Sequence, residues 1–185
     1  MESFDEVLAA ARAGAEWAWG RIYGELAPSV AGYLRAHGAA DPEDLTGEVL
    51  LQVVRGLDRF EGDEAGFRAW VFTIAHRRLV DEARRHARRP VVPAPEERLD
   101  VLAGAGGDVR DDAAAVLAQE AVREAIAALP PDQRAVLLLR ILGDLTIDEI
   151  ARVMGKRPGA VKALQRRAVR RLQGAYPFPA LERLP

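Results

Sequence analysis

The chain contains no cysteine among its 185 residues. Disulfides, thiolate nucleophiles, CxxC redox pairs and cysteine-ligated zinc are therefore excluded. Histidine is scarce as well: His37, His76 and His86 are the full set, and no HExxH or comparable spacing joins them. No apolar run approaches the roughly 18–20 residues that a bilayer crossing needs. The opening residues Met1 to Glu6 are acidic where a secretory signal is basic, so the expectation is a cytoplasmic chain that does not engage a membrane. Strict alternation of apolar and polar residues, the mark of a half-buried strand, is missing throughout. There is no phosphate-cradling glycine loop, no nucleophile paired with a base and no metal-ligand cluster, so no catalysis, cofactor or metal is expected.

What is present is an ordinary folding composition, 49% hydrophobic and 29% charged, with a formal net charge of −2. A packed core follows from the first figure. The small net charge hides a strong segregation of sign. From Lys156 to Gln173 there are seven basic residues and no acid, and from His76 to Pro90 six arginines meet two acids. Asp41 to Gly66 holds eight acids and two arginines, and Pro90 to Glu120 seven acids and two arginines. Basic stretches of this density are the footprint of a polyanion-binding protein.

Helical periodicity fills the chain on both sides of a Pro/Gly-rich acidic stretch. The predicted fold is all-α: two small helical domains, residues 1–90 and 113–175, joined by a flexible linker, 91–112, and followed by a tail, 176–185. Ser3 with Glu6 forms a capping box for a first helix, and a longer helical stretch from Ala15 to His37 is expected to break or kink near Pro28. Asp41 and Pro42 open a third helix with the apolar stripe Leu45, Val49, Val53, Leu57 and Phe60. Residues 62–66 read as a loop before a fourth helix from about Phe67 to Arg89, in which Phe67, Trp70, Phe72 and Ile74 are core candidates. Beyond the linker, a helix over Asp112 to Leu129 precedes one from Pro130-Pro131 through Leu142, with Gly143 as its C-cap. Thr146 and Glu149 form a second capping box, Gly155 turns the chain, and Pro158 starts a helix to about Ala175. Two short helices around a tight glycine turn, the second basic, make a helix-turn-helix.

In that last helix Val161, Leu164, Ala168 and Leu172 share a face and point inward, which leaves a cationic face opposite. A groove-bound helix meets base edges near its N-terminal end and phosphates elsewhere. Lys162, Ala163 and Arg166 are accordingly assigned to bases, and Lys156, Arg157, Arg167 and Arg170 to phosphates. The competing reading is a solvated charged face, but seven cations without one acid weigh against it. In the fourth helix Arg77, Arg78, Arg84, Arg85, Arg88 and Arg89 fall within an arc of roughly 140°, with Asp81 and Glu82 beside them as possible internal partners. In the third helix Asp44, Glu48, Leu51 and Arg55 line up opposite the apolar stripe, with Gln52 alongside. An exposed leucine inside a charged rim suits a protein-docking face.

The segments Asp41-Pro42-Glu43-Asp44-Leu45-Thr46-Gly47-Glu48-Val49, Leu57-Asp58-Arg59-Phe60 and Phe67-Arg68-Ala69-Trp70-Val71-Phe72-Thr73-Ile74-Ala75 resemble the second conserved domain of bacterial extracytoplasmic-function (ECF) sigma factors. Leu129 to Arg140, Thr146 to Ala151 and Gly159-Ala160-Val161-Lys162 resemble the fourth. The resemblance implies a promoter-specificity subunit with core RNA polymerase and promoter DNA as partners, an anti-sigma protein as a candidate partner, and a monomeric free state. It also implies that the third helix (Asp44, Glu48, Leu51, Gln52, Arg55) docks on polymerase, that the loop Glu61 to Gly66 and the fourth helix engage the minus-ten element, and that the last helix reads the minus-thirty-five element. Gly47, His76, Ala163 and Leu164 depart from the common pattern. The alternatives are a helix-turn-helix regulator that acts without polymerase, which has no need of the face around Leu51, and a helical adaptor that binds an acidic partner or surface.

Overall fold

The structure, a computed structural model, describes residues 2–87 and 113–175. Arg88, Arg89, the expected linker over 91–112 and the tail over 176–185 lie outside the described residues. Eight α-helices and no strand occur among the described residues: α1 (Phe4–Arg12), α2 (Glu16–Ala36), α3 (Pro42–Gly56), α4 (Glu64–Ala87), α5 (Ala113–Ala127), α6 (Pro131–Ile141), α7 (Ile147–Met154) and α8 (Pro158–Ala175), with a 3-10 turn at Leu57–Arg59.

Local chemistry explains most of the helix ends. Ser3 accepts from the Glu6 amide while Glu6 accepts from Ser3 N at 2.7 Å, and Thr146 and Glu149 repeat the arrangement at α7. Asp41 caps α3 by accepting from Asp44 N at 2.9 Å. Gly155 ends α7 at φ 62°, a left-handed conformation that a side chain disfavours.

Three boundaries differ from expectation. First, α2 runs unbroken through Pro28. Pro28 is exposed, and so is Gly24, whose carbonyl loses its helical partner. Water can take that carbonyl, while Leu26, Ala27, Val30, Tyr33 and Leu34 hold both sides of the proline in the core. Second, α4 starts at Glu64, three residues before the expected position, because Asp63 accepts from Gly66 N at 2.8 Å and acts as an N-cap inside the segment read as loop. Third, Gly143 is not the left-handed cap of α6. Asp144 takes positive φ instead, at 52°, and Gly143 serves a close approach: a Cβ there would lie 2.7 Å from Leu139 O and 3.3 Å from Phe72 Cδ2.

That contact with Phe72 shows how the two helical groups meet. Helix α4 packs on α2 and α3 with one side and on α7 with the other. One apolar core runs through both groups, with Tyr33, Val71, Phe72, Leu139, Leu145 and Ile150 all under 2% exposed. The nearly all-round apolar sequence Phe67 to Ala75 is thus a helix covered on two sides. A smaller cluster of Leu129, Leu137, Ala168 and Leu172 belongs to the C-terminal helices alone.

Polar contacts reinforce the junction. Arg134 on α6 donates to Ala36 O at the end of α2 (3.2 Å) and to Leu129 O (3.1 Å). The Tyr33 hydroxyl and His76 Nδ1 are hydrogen-bonded at 2.7 Å, and His37 Nδ1 bonds to Tyr33 O at 2.8 Å. Burial lowers the pKa of His37 to about 4, with its bond to the Tyr33 carbonyl acting the other way and Arg134 adding to the depression. His76 is also lowered, chiefly by burial; Asp132 opposes the shift and Lys156 adds to it.

Candidate polymerase and nucleic-acid faces

Helix α3 buries Leu45, Val49, Leu50 and Val53 and turns the opposite side outward. Leu51 is 56% exposed, with Asp44, Gln52 and Arg55 exposed around it and Glu48 half-buried. Val54, 48% exposed and one turn beyond Leu51, enlarges the apolar patch. Its i+3 spacing from Leu51 was the signal available in the sequence. Two large aliphatic side chains in water, rimmed by charge, form the core-and-rim composition of a docking surface.

The basic stripe of α4 is more compromised than its sequence implies. Arg77, Arg84 and Arg85 are exposed, but Arg78 reaches across to α3, where it pairs with Glu48 at 3.1 Å and donates to Gln52 Oε1 at 3.3 Å. Arg84 lies 3.8 Å from Asp81, and Glu82 accepts weakly from Ala40 N at 3.4 Å. Arg78 therefore sits at the border between the acidic face and the cationic stripe, with part of its charge already neutralised. At the start of α4, the five residues from Glu61 to Ala65, three before the helix and its first two, are all exposed, between buried Phe60 and buried Phe67.

Helix α8 is the opposite case. Val161, Ala168 and Leu172 are buried, while Arg157, Lys162, Arg166, Arg167, Arg170 and Arg171 are exposed and Ala163 is half-buried beside Lys162. Lys156, expected to meet phosphate, is paired with Asp132 at 2.8 Å. It ties the turn between α7 and α8 to α6, beside the junction with α4. The remaining cations share one face, with no acid in the helix to offset them, and a duplex phosphate backbone is the natural complement.

The region-by-region match to known proteins follows the same division. Residues 22–89 match Sigma-70 region 2, and residues 119–172 match Sigma-70, region 4. The chain is similar to the ECF RNA polymerase sigma factor BldN of Streptomyces coelicolor, with 36% identity over 95% of this chain and 66% of that protein. It is likewise similar to the ECF RNA polymerase sigma factor RpoE of Cereibacter sphaeroides, with 33% identity over 85% of this chain and 86% of that one. The chain belongs to the ECF RNA polymerase sigma factor family. This sigma factor directs transcription initiation, with core RNA polymerase and promoter DNA as partners. Its fold is that of the sigma factor RpoE in the co-crystal structure with the anti-sigma factor NepR from Bartonella quintana, with a TM-score of 0.63 at 20% identity over 86% of this chain and 97% of that one.

Sequence reasoning had isolated the α3 face and the α8 face of the sigma factor. It missed Arg12 and Arg134, whose partners are distant in the chain, and it missed the pairing of Arg78 with Glu48. No described helix is long and apolar enough to cross a membrane.

Proposed function

We propose that the sigma factor docks on core polymerase through the α3 patch of Asp44, Glu48, Leu51, Gln52 and Arg55, enlarged by Val54. The segment Glu61 to Gly66, which runs into α4, and the exposed cations of that helix engage the minus-ten element. Lys162, Ala163 and Arg166 of α8 meet base edges of the minus-thirty-five element, while Arg157, Arg167 and Arg170 hold its phosphates. The protein works in the cytoplasm, as a monomer when free, and performs no chemistry of its own. An anti-sigma protein, like the one bound to the Bartonella sigma factor, is a fitting regulatory partner.

The observation that carries this reading is Leu51, 56% exposed on a helix whose opposite face is fully packed. A regulator that needed only DNA would have no use for it. Elements centred near minus ten and minus thirty-five lie roughly 85 Å apart at about 3.4 Å per base pair, whereas a compact chain of this length has a radius of gyration of about 16 Å. The shared core is therefore the arrangement of the unengaged protein, and α4 and α7 part when both elements are bound.

The test is a titration of core polymerase with the full chain. Leu51→Arg should weaken binding by about 2 kcal/mol or more, as for a central contact, and leave the helical content and thermal midpoint unchanged. Unaltered core affinity contradicts the assignment.

A further inference from the structure

The segment from Glu61 to Ala65, a short loop running into the first two residues of α4, presents five consecutive exposed residues, yet both of its ends are held. On the C-terminal side Asp63 caps Gly66 N at 2.8 Å. On the N-terminal side Phe60 is 9% exposed, with its ring 5.2 Å from Phe67 and stacked on Trp70 at 5.3 Å and 24°. The backbone there is claimed by a residue from far away in the chain. Arg12, the last residue of α1, donates through Nε to Leu57 O at 3.3 Å and through Nη2 to Phe60 O. Both carbonyls belong to the turn that follows α3, where Leu57 O also accepts from Phe60 N at 3.1 Å. A guanidinium fork holding two carbonyls three residues apart fixes the direction in which the chain leaves Phe60.

Helix α1 is firmly enough seated to serve as the anchor. Val7, Leu8 and Ala11 are buried, Phe4 lies 5.6 Å from Phe67, and Trp19 Nε1 donates to Ala11 O at 3.1 Å. Residues 22–89 match Sigma-70 region 2, so α1 stands outside that match.

We infer that Arg12 is a positioning residue for minus-ten recognition: it holds the loop after Phe60, Glu61 to Asp63, and the start of α4 in their reading conformation before DNA arrives. The inference rests on the proposed role of that loop. A loop ordered in advance loses less entropy on binding.

The experiment uses the full chain, with core polymerase and a promoter recovered by run-off transcription. Arg12→Ala should reduce discrimination between an intact and a scrambled minus-ten block by about tenfold, the loss expected when a charge-assisted hydrogen bond is removed. Core affinity and discrimination at the upstream block should hold within about twofold. Arg12→Lys keeps the charge but replaces the planar fork, and should lose about threefold. In the free chain, Arg12→Ala should speed cleavage after Glu61 and Glu64 by a glutamate-specific protease about tenfold, read by mass spectrometry.

A merely structural arginine would lower transcription from every template by the same factor, and that result overturns the proposal, as does unchanged discrimination. If Arg12→Ala is unfolded at the assay temperature, Arg12→Lys decides, and wild-type discrimination by it refutes the clamp. If the unmodified protein shows no minus-ten discrimination, the reading of the loop has failed, and the protease rates on the free chain judge the clamp alone: equal rates overturn it.

Discussion

Helices α4 and α8 look alike as strings of arginines and differ in every surrounding that matters. Helix α8 buries one side and keeps its other side cationic, with Lys162, Arg166, Arg167, Arg170 and Arg171 exposed and no acid in the helix. Helix α4 is covered on both sides along its apolar stretch. In its basic stretch Arg78 is committed to Glu48 and Gln52, and Arg84 lies near Asp81. Charge counted along a helix is therefore not the field that helix projects, because neighbours from elsewhere in the chain can neutralise it. On this account α8 binds duplex DNA largely through charge, and α4 contributes shape and position more than field.

The largest expected effect probes the cover on α4. Phe72 is fully buried and approaches Gly143 of the C-terminal group, so Phe72→Ala should cost about 3–5 kcal/mol. Denaturation of the full chain followed by probes in both groups should show a common loss. Unfolding confined to the N-terminal helices would separate the two groups energetically.

Acid should act at the same junction. His37 has its folded-state pKa lowered to about 4 from 6.5, and His76 is lowered too. The unfolded chain binds protons first, so stability is full above about pH 6.5 and falls as the pH drops toward 4. His37 accounts for at most about 3 kcal/mol of that loss. Denaturation midpoints at a series of pH values test this, and His37→Gln should flatten the slope. A midpoint that stays level from pH 7 to 4.5 contradicts a buried neutral His37.

Next in size is base reading by α8. Arg166→Ala should cost about 1–3 kcal/mol and relax preference at one position of the upstream element. Arg171→Ala should weaken all sequences alike and reduce the slope of log affinity against log salt by about one unit. Equal losses on every upstream variant for Arg166→Ala would make α8 a phosphate clamp only. The smallest effect belongs to Arg78→Ala, below about 1 kcal/mol on promoter affinity, because its charge is already shared with Glu48. Arg85→Ala, with an exposed guanidinium on the same helix, should change the salt slope more. A larger loss for Arg78 would reverse the reading of α4.

These cases also mark what could be read in the sequence. Most interactions within four residues were legible: the Ser3–Glu6 and Thr146–Glu149 boxes, the Asp41 cap, the Gly155 turn and the opposed faces of α3 and α8, but not the Asp63 cap on Gly66 N. Contacts made at long range were not. Arg12 finds its carbonyls 45 and 48 residues away, Arg134 reaches Ala36, and Arg78 leaves its own helix for Glu48. Gly143 read as a helix cap because its actual constraints, Leu139 O at 2.7 Å and the ring of Phe72 at 3.3 Å from a Cβ placed there, depend on the local backbone path and on the other helical group. Pro28 read as a break because its solvent-facing position depended on which side of α2 was buried.

The most direct test of the central claim is run-off transcription from a genomic library, with core polymerase supplemented by the full chain or by its Leu51→Arg variant. The account predicts transcripts that depend on the chain, start sites sharing two sequence blocks upstream, and loss of all of them together with Leu51→Arg. DNA binding without chain-dependent transcripts, or transcripts that Leu51→Arg leaves at wild-type levels, would contradict it.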